Sequence, residues 1–451
     1  MSQLENGRVV EDGVGRLKSI AVGVVTAVAL SLGCAVTAHA AELKHCAVSA
    51  GRAPETATPE EVGLDPDALR EAVRFAADPT RMTLQIFRNN CLIAVGPNNA
   101  KAAGVPWNLW SSTKSVVSLL AGIAIDDGRL RLDAPIGTYL PPGLGDAGHR
   151  AITVRNLLQE SSGMQVAVAS EGITGLAQLD PNVVAQALGM PIDEPQGAEW
   201  RYSQRGVDLL AYVIQQAVGE DLQVYAQRKL FDPLGIKRSD YFWGRDRSGN
   251  TYGYAHLVLP PDDFAKLGLL LANRGTWGDR QVISRDYLAL AGKPSPVHGC
   301  YGFLLVVNGP ECGNMFPGLP PDALQMSGMM RQDNFAVPSL GLLVSWTGVT
   351  FPGSAVSFPH DVLRAVAGAF RTPRLPDPGP YVQQPDTQLS DPMISNPDAT
   401  LAALGVGPMA YPGCNPLSCL GKPMSAPFAN WPPGCFILGC VGPDPATPGI
   451  H

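Results

Sequence analysis

The stretch Leu109-Trp110-Ser111-Ser112-Thr113-Lys114-Ser115-Val116-Val117-Ser118-Leu119-Leu120-Ala121-Gly122-Ile123-Ala124-Ile125-Asp126-Asp127-Gly128 decides the fold. From residue 113 to 127 it is apolar nearly all round, through Val116, Val117, Leu119, Leu120, Ile123 and Ile125, and it stops at Gly128. A helix that is apolar on every face belongs inside a domain. At its mouth Ser111 stands three residues before Lys114. That spacing places the lysine on the serine's face, within reach of its hydroxyl. Helix starts leave N–H groups unpaired and carry the positive end of the dipole, so developing negative charge is favoured there. A lysine held against apolar surface has a lowered pKa and can take part in proton transfer. Ser111 and Lys114 are therefore a candidate nucleophile and base. Taken alone, the pair reads equally as a serine cap beside a solvated lysine.

Regular structure extends outward from this helix over residues 50–371. A helix is expected at 65–77, started by Asp65 or Pro66. A strand pair follows at 82–95, turning at Arg88-Asn89-Asn90. Helical patterns recur at 154–159, 183–188, 206–218, 222–230 and 262–272. Strand-like runs return at 302–307, 324–330 and 340–346, and a helix at 359–370 closes the unit. Strands at both ends with helices between them predict an α+β domain. Its antiparallel sheet is assembled from distant segments and flanked by helices, with a helical insertion at about 135–275. A cleft between the two parts is a natural small-molecule site.

Other chemistries find little support. The chain has no G-x-S-x-G, no H-E-x-x-H and no P-loop, and its seven histidines form no cluster with metal spacing. The glycines 143, 145 and 148 follow Pro141-Pro142 rather than a strand, so they read as a loop. Net charge is −7, which disfavours nucleic acid as a partner. No metal or organic cofactor is implied.

The ends differ from the middle. Arg16 and Lys18 precede an uncharged stretch to residue 41, and Ala38-His39-Ala40 has the form of a signal-peptidase site. Residues 1–40 read as a signal peptide, with a retained anchor as the alternative. Export to the periplasm or the exterior follows, without stable membrane insertion after cleavage. Cys34 follows Leu32-Gly33, yet Ser31 stands where a lipoprotein motif has Leu. Beyond the leader eight cysteines remain, an even number that reads as disulfides in an oxidising compartment. Cys300–Cys312 is a candidate local pair. The last four, at 414, 419, 435 and 440, favour disulfides over a zinc site. Residues 372–451 hold 17 of the 41 prolines and seven charged residues without a sustained period, and read as a stapled, loop-rich extension. Such an extension either lies across the parent domain or binds the cell wall.

A second motif joins the first 91 residues after Ser111, at Tyr202-Ser203-Gln204 within Glu199-Trp200-Arg201-Tyr202-Ser203-Gln204-Arg205-Gly206. Together with Met326-Ser327-Gly328 the order resembles S-x-x-K, Y-x-N and K/H-x-G of the serine β-lactamase/penicillin-binding-protein superfamily. The likeness is to its class C-like branch of esterases, D-aminopeptidase-like enzymes and 6-aminohexanoate-oligomer hydrolases. Gly128-Arg129-Leu130-Arg131-Leu132-Asp133, Ile152-Thr153-Val154-Arg155-Asn156-Leu157-Leu158, Ser162-Gly163, Pro233-Leu234-Gly235-Ile236 and Asp263-Phe264-Ala265-Lys266-Leu267-Gly268 extend it over about 320 residues. The resemblance implies a serine hydrolase in which Ser111 forms an acyl-enzyme and Lys114 activates it, with Tyr202 as proton shuttle. It further implies an oxyanion hole from the N–H groups of Ser111 and Met329, with Gly328, Ser327 and Gln204 beside the substrate. Two departures matter. Gln204 replaces the family's Asn, and Met326 replaces the Lys or His that binds a substrate carboxylate. The expected substrate is a small ester or amide, ahead of β-lactamase or D,D-peptidase action. Arg331 is a candidate replacement for the lost cation, and His256 and Trp110 are candidate cleft residues. A protein of another class, a non-catalytic cell-wall binder on the same fold, is the competing reading.

Overall fold

Alternating apolar residues and two asparagines build the first hairpin. Strands Arg81–Arg88 and Cys91–Val95 pair antiparallel, and Asn89 and Asn90 turn the chain with φ of 51° and 67°. Asparagine tolerates this left-handed backbone because its short side chain bonds locally. The computed structural model describes residues 42–77, 81–310, 316, 318–349, 358–380, 397–403 and 405–440. The expected signal peptide and Cys312 lie outside these residues. Cys300 is buried.

The hairpin is one edge of a six-stranded sheet. Its order is Cys91–Val95, Arg81–Arg88, Leu342–Gly348, Gln332–Val337, Leu324–Gly328 and Val306–Val307, every neighbour antiparallel. Successive side chains of a strand point to opposite faces. Gln85 accordingly donates to the carboxylate of Asp262, at the start of helix Pro261–Ala272, while Arg88 lies 4.3 Å over the ring of Phe370. Helices Pro66–Phe75 and Phe358–Gly368 pack together on the Arg88 side. The sheet is thus flanked by helices and drawn from both ends of the domain. Asp65 caps the first of these helices, accepting from the N–H groups of Asp67 and Ala68.

The expected strand at 302–307 shortens to Val306–Val307. The preceding backbone has other partners. Leu304 donates its N–H to the Leu158 carbonyl, and its own carbonyl accepts from Ser115 Oγ at 2.7 Å. A Cβ at Gly302 would stand 2.0 Å from the Ala291 carbonyl, so this stretch is pressed against a helix end instead of a strand.

Helix Ser112–Asp126 is buried over almost its whole length, with Val116, Val117, Leu119 and Leu120 fully shielded. Each such side chain contributes about 1.5–3 kcal/mol. Its serines recur every third residue and are all satisfied. Ser112 Oγ donates to the Gln332 carbonyl at 2.7 Å, Ser115 to Leu304, and Ser118 meets the Tyr287 hydroxyl at 3.0 Å.

Between sheet segments lie the helices Val154–Leu158, Val168–Leu176, Val183–Gly189, Gln204–Val218 and Leu222–Ala226. Arg205 ties this region together. It is 1% exposed and bridges Asp180 at 2.6 Å and Asp208 at 2.9 Å, both fully buried. Tyr252 donates to the other oxygen of Asp180, and Gly253 N–H to Asp208. Breaking one partner of such a network strands buried charge. Arg205→Met is expected to cost about 3–5 kcal/mol, read as a lowered denaturant midpoint at unchanged slope.

The C-terminal extension adds strands to the domain that carries Ser111. A second sheet runs Cys435–Phe436, Gly439–Cys440, Trp107–Asn108, Leu257–Leu259 and Phe242–Trp243. The described residues of the extension belong to the same compact unit as the rest of the chain from Leu43 onward. Disulfides join Cys46–Cys91, Cys414–Cys419 and Cys435–Cys440, so the last four cysteines form two local loops.

Candidate active site

Ser111 stands at the N-cap position of the Ser112–Asp126 helix without a capping bond and is partly exposed, while Lys114 one turn further is 1% exposed. The entry is wound tightly. The N–H groups of Ser112, Thr113 and Lys114 donate to the carbonyls of Leu109, Trp110 and Ser111 at 3.1, 2.9 and 2.9 Å. Most of the N–H groups expected to be open at this helix start are therefore used inside the turn. No acceptor among the described residues takes the N–H of Ser111 itself. Trp110, buried just before it, has φ of 50°.

Tyr202 and Gln204 arrive on the segment leading into helix Gln204–Val218, where Ser203 Oγ caps by accepting from Gly206 N–H at 2.8 Å. Gln204 Oε1 accepts a hydrogen bond from Lys114 Nζ. The ammonium also lies 4.5 Å from the Tyr202 ring centroid and 5.2 Å from that of Tyr254. Both faces attract a cation. The Tyr202 hydroxyl is in hydrogen-bonding contact with Ser111. Ser111, Lys114, Tyr202 and Gln204, predicted from two separate motifs, are thus brought together.

Electrostatics separates their roles. Burial pushes Lys114 down to about 8, opposed by Glu160, Asp208 and Glu171. About a tenth of such lysines are neutral at pH 7. Desolvation, with Glu160 adding to it, holds the Tyr202 hydroxyl above the usual tyrosine value, so it stays protonated in the resting site. Burial likewise pushes His256 down to about 3, which leaves it a neutral member of a cluster with Tyr252 and Tyr254.

The sequence reading missed Glu160. It is 3% exposed, has φ of 50°, and brackets Tyr202. Its carbonyl accepts from Arg201 N–H at 2.8 Å and its Oε1 from Ser203 N–H at 3.3 Å. Glu171 continues the bracket, accepting from Gln204 N–H at 3.2 Å. A usable signal existed: Glu160 is the sole charged residue between Arg155 and Glu171. Burial pushes its carboxyl up to about 8, opposed first by Lys114. The two groups titrate as a pair. Glu160→Gln keeps the acceptor for Ser203 and removes the charge that most raises Lys114. The ascending limb of kcat/KM against pH is expected to move to lower pH, as measured from pH 5 to 10.

The third motif lies at the end of strand Leu324–Gly328. Met326 is fully buried, with Asn334 Nδ2 3.6 Å from its sulfur. Ser327 points to the other face, where its hydroxyl bonds Asp333, and Arg331 acts on the same carboxylate. The glycine answers to a contact that the sequence reading did not anticipate: a Cβ at Gly328 would stand 2.2 Å from the Leu109 carbonyl. With Ser112 Oγ on the Gln332 carbonyl, this contact holds the strand end and its turn at the Ser111 end of the helix. Met329, the first turn residue, is 46% exposed.

A model of the beta-lactamase family matches residues 97–368, more than half of the chain. A lovastatin esterase from Penicillium rubens is 28% identical over 156 residues, covering 30% of this chain and 39% of that protein. Esterase EstB from Burkholderia gladioli is 29% identical over 147 residues, covering 29% and 37%. The matched stretches thus span well under half the length of these curated relatives. Among solved structures, EstCE1, a hydrolase with promiscuous acyltransferase activity, superposes with a TM-score of 0.51 at 17% identity, covering 66% of this chain and 98% of its own. The octameric penicillin-binding protein homologue from Pyrococcus abyssi gives 0.52 at 19%, covering 69% and 79%. Fold and family model together place the chain among beta-lactamase-like proteins. The chain belongs to the beta-lactamase family, with esterases among its relatives. No helix among the described residues is long and apolar enough to cross a membrane.

Proposed function

We propose that this protein is an exported hydrolase that cleaves small esters or amides through an acyl-enzyme on Ser111. The observation that carries this reading is the buried Lys114, caged by Gln204 and the rings of Tyr202 and Tyr254 one turn from a partly exposed serine. Neutral Lys114 withdraws the Ser111 proton through the Tyr202 hydroxyl as Ser111 Oγ attacks the carbonyl carbon. The same relay returns the proton to the leaving group. It then activates the water that hydrolyses the ester intermediate. The N–H groups of Ser111 and Met329 hold the oxyanion. Gln204 spends its carbonyl on Lys114, which leaves its NH2 for the substrate. Met326 offers a carboxylate no charge, and this sets esterase or linear-amide cleavage ahead of β-lactamase or D,D-peptidase action. Export rests on the leader and on three disulfides.

The test treats mature protein with a fluorophosphonate probe and reads intact mass. One adduct on wild type and none on Ser111→Ala is expected. No wild-type adduct would leave the non-catalytic wall binder as the better reading. Turnover of p-nitrophenyl butyrate, nitrocefin and an aminohexanoate dimer then sorts substrates. Preferred turnover of nitrocefin would overturn the weight placed on Met326.

A further inference from the structure

The C-terminal extension reaches the nucleophile through one buried amide. Strand Gly439–Cys440 pairs with Trp107–Asn108, the strand that leads directly into Ser111. Asn108 is fully buried and bonds on two sides. Towards the extension, its N–H donates to the Leu438 carbonyl at 2.8 Å and its Nδ2 to the Ile437 carbonyl at 2.7 Å. Towards the site, its Oδ1 accepts from the Trp110 N–H at 2.9 Å. Trp110 is the residue held at φ of 50° immediately before Ser111. A bulky side chain at positive φ is costly, and it persists only where its surroundings over-determine it. Asn108 is one of those constraints, and the extension decides which way its amide points. With the Nδ2 bound to Ile437, the oxygen must face Trp110.

The contact is built for close approach. A Cβ at Gly439 would stand 2.7 Å from the Pro106 carbonyl and 3.1 Å from the Trp107 ring. The Cys435–Cys440 disulfide closes the two-stranded hairpin that carries this glycine. Hairpins of this size are marginal alone. Phe242, Val258 and Trp431 pack beside it as a separate apolar cluster.

We propose that the Cys435–Cys440 hairpin is a positioning element of the active site, which acts through Asn108 to set the Trp110–Ser111 backbone. The extension is then part of the catalytic apparatus, although it lies outside the residues that match the family model. This rests on Ser111 being the nucleophile. Loss of the hairpin leaves Ser111 in place with its hydroxyl and N–H misaimed, so the attack slows while substrate still binds.

The test uses the full chain as wild type, Gly439→Val, Asn108→Ala, the double variant Asn108→Ala/Gly439→Val, and Cys435→Ser/Cys440→Ser. Readouts are the rate of fluorophosphonate adduct formation on Ser111, kcat and KM for p-nitrophenyl butyrate, and the melting midpoint. Gly439→Val is expected to lower both kcat and labelling rate by about tenfold or more, with KM within about threefold, because misplacement by about 1 Å costs up to about 100-fold. In the double variant the losses should not multiply, since both act along one path. Unchanged kcat in Gly439→Val, or losses that multiply, overturns the proposal. If Gly439→Val does not melt cooperatively, the cysteine pair variant, which adds no bulk, decides by the same readouts. Absence of a wild-type adduct would instead strike the parent reading.

Discussion

Ser111→Ala is expected to lower kcat for p-nitrophenyl butyrate by about 10⁴-fold or more, with the melting midpoint nearly unchanged. The rate loss follows from removing the atom that bonds the acyl group, since the remaining oxyanion donors catalyse weakly by themselves. The stability expectation is specific to this site. A serine at a helix N-cap usually contributes about 1 kcal/mol by accepting from the first turn. Ser111 makes no such bond, because the Ser112, Thr113 and Lys114 N–H groups already have carbonyl partners. Its hydroxyl is therefore not spent on the helix but faces Tyr202, and the helix loses little without it. Parallel kinetics and melting curves check both halves. Activity within tenfold of wild type would remove Ser111 from the mechanism.

Lys114→Met is expected to cost about 10³-fold in kcat, within the usual range for a positioned general base. Methionine preserves the length and apolar stem in a site where the lysine is 1% exposed, so the packing around it survives. The pH profile gives a second readout. In the proposed mechanism Lys114 acts as the neutral amine, and burial pushes it down to about 8, so wild-type kcat/KM is expected to rise with pH through that region. In Lys114→Met the limb should vanish. Glu160 loses its main counter-charge there and is pushed further up, and the bracket around Tyr202 keeps its hydrogen bond to Ser203. A profile that keeps the limb near 8 in this variant would assign it to another group.

Much of this site was legible because its pieces are local in the chain. Ser111 and Lys114 share one helix turn, and Tyr202 and Gln204 share one helix entry. Apolar residues on every face showed that helix Ser112–Asp126 is interior, and Asp65, Gly128 and the Asn89-Asn90 turn marked element ends correctly. Strand 302–307 failed because Ser115 and Leu158 claim its backbone groups, which no local pattern records. Glu160 was passed over because a lone acid after a short helix looks solvated until its burial is known.

The amino-acid sequence by itself determined the α+β architecture, the interior helix, and the serine and lysine at its mouth. These are properties of residue type and short-range spacing. Only the tertiary structure decided that burial pushes Lys114 down to about 8, that Glu160 and Glu171 bracket the Tyr202 segment, and that Gly328 is small to admit the Leu109 carbonyl. It also decided that Gly439 of the proline-rich extension pairs with Trp107, four residues before Ser111. Desolvation, close approach and strand pairing depend on atoms hundreds of residues apart. A sequence pattern carries no record of which distant backbone will arrive.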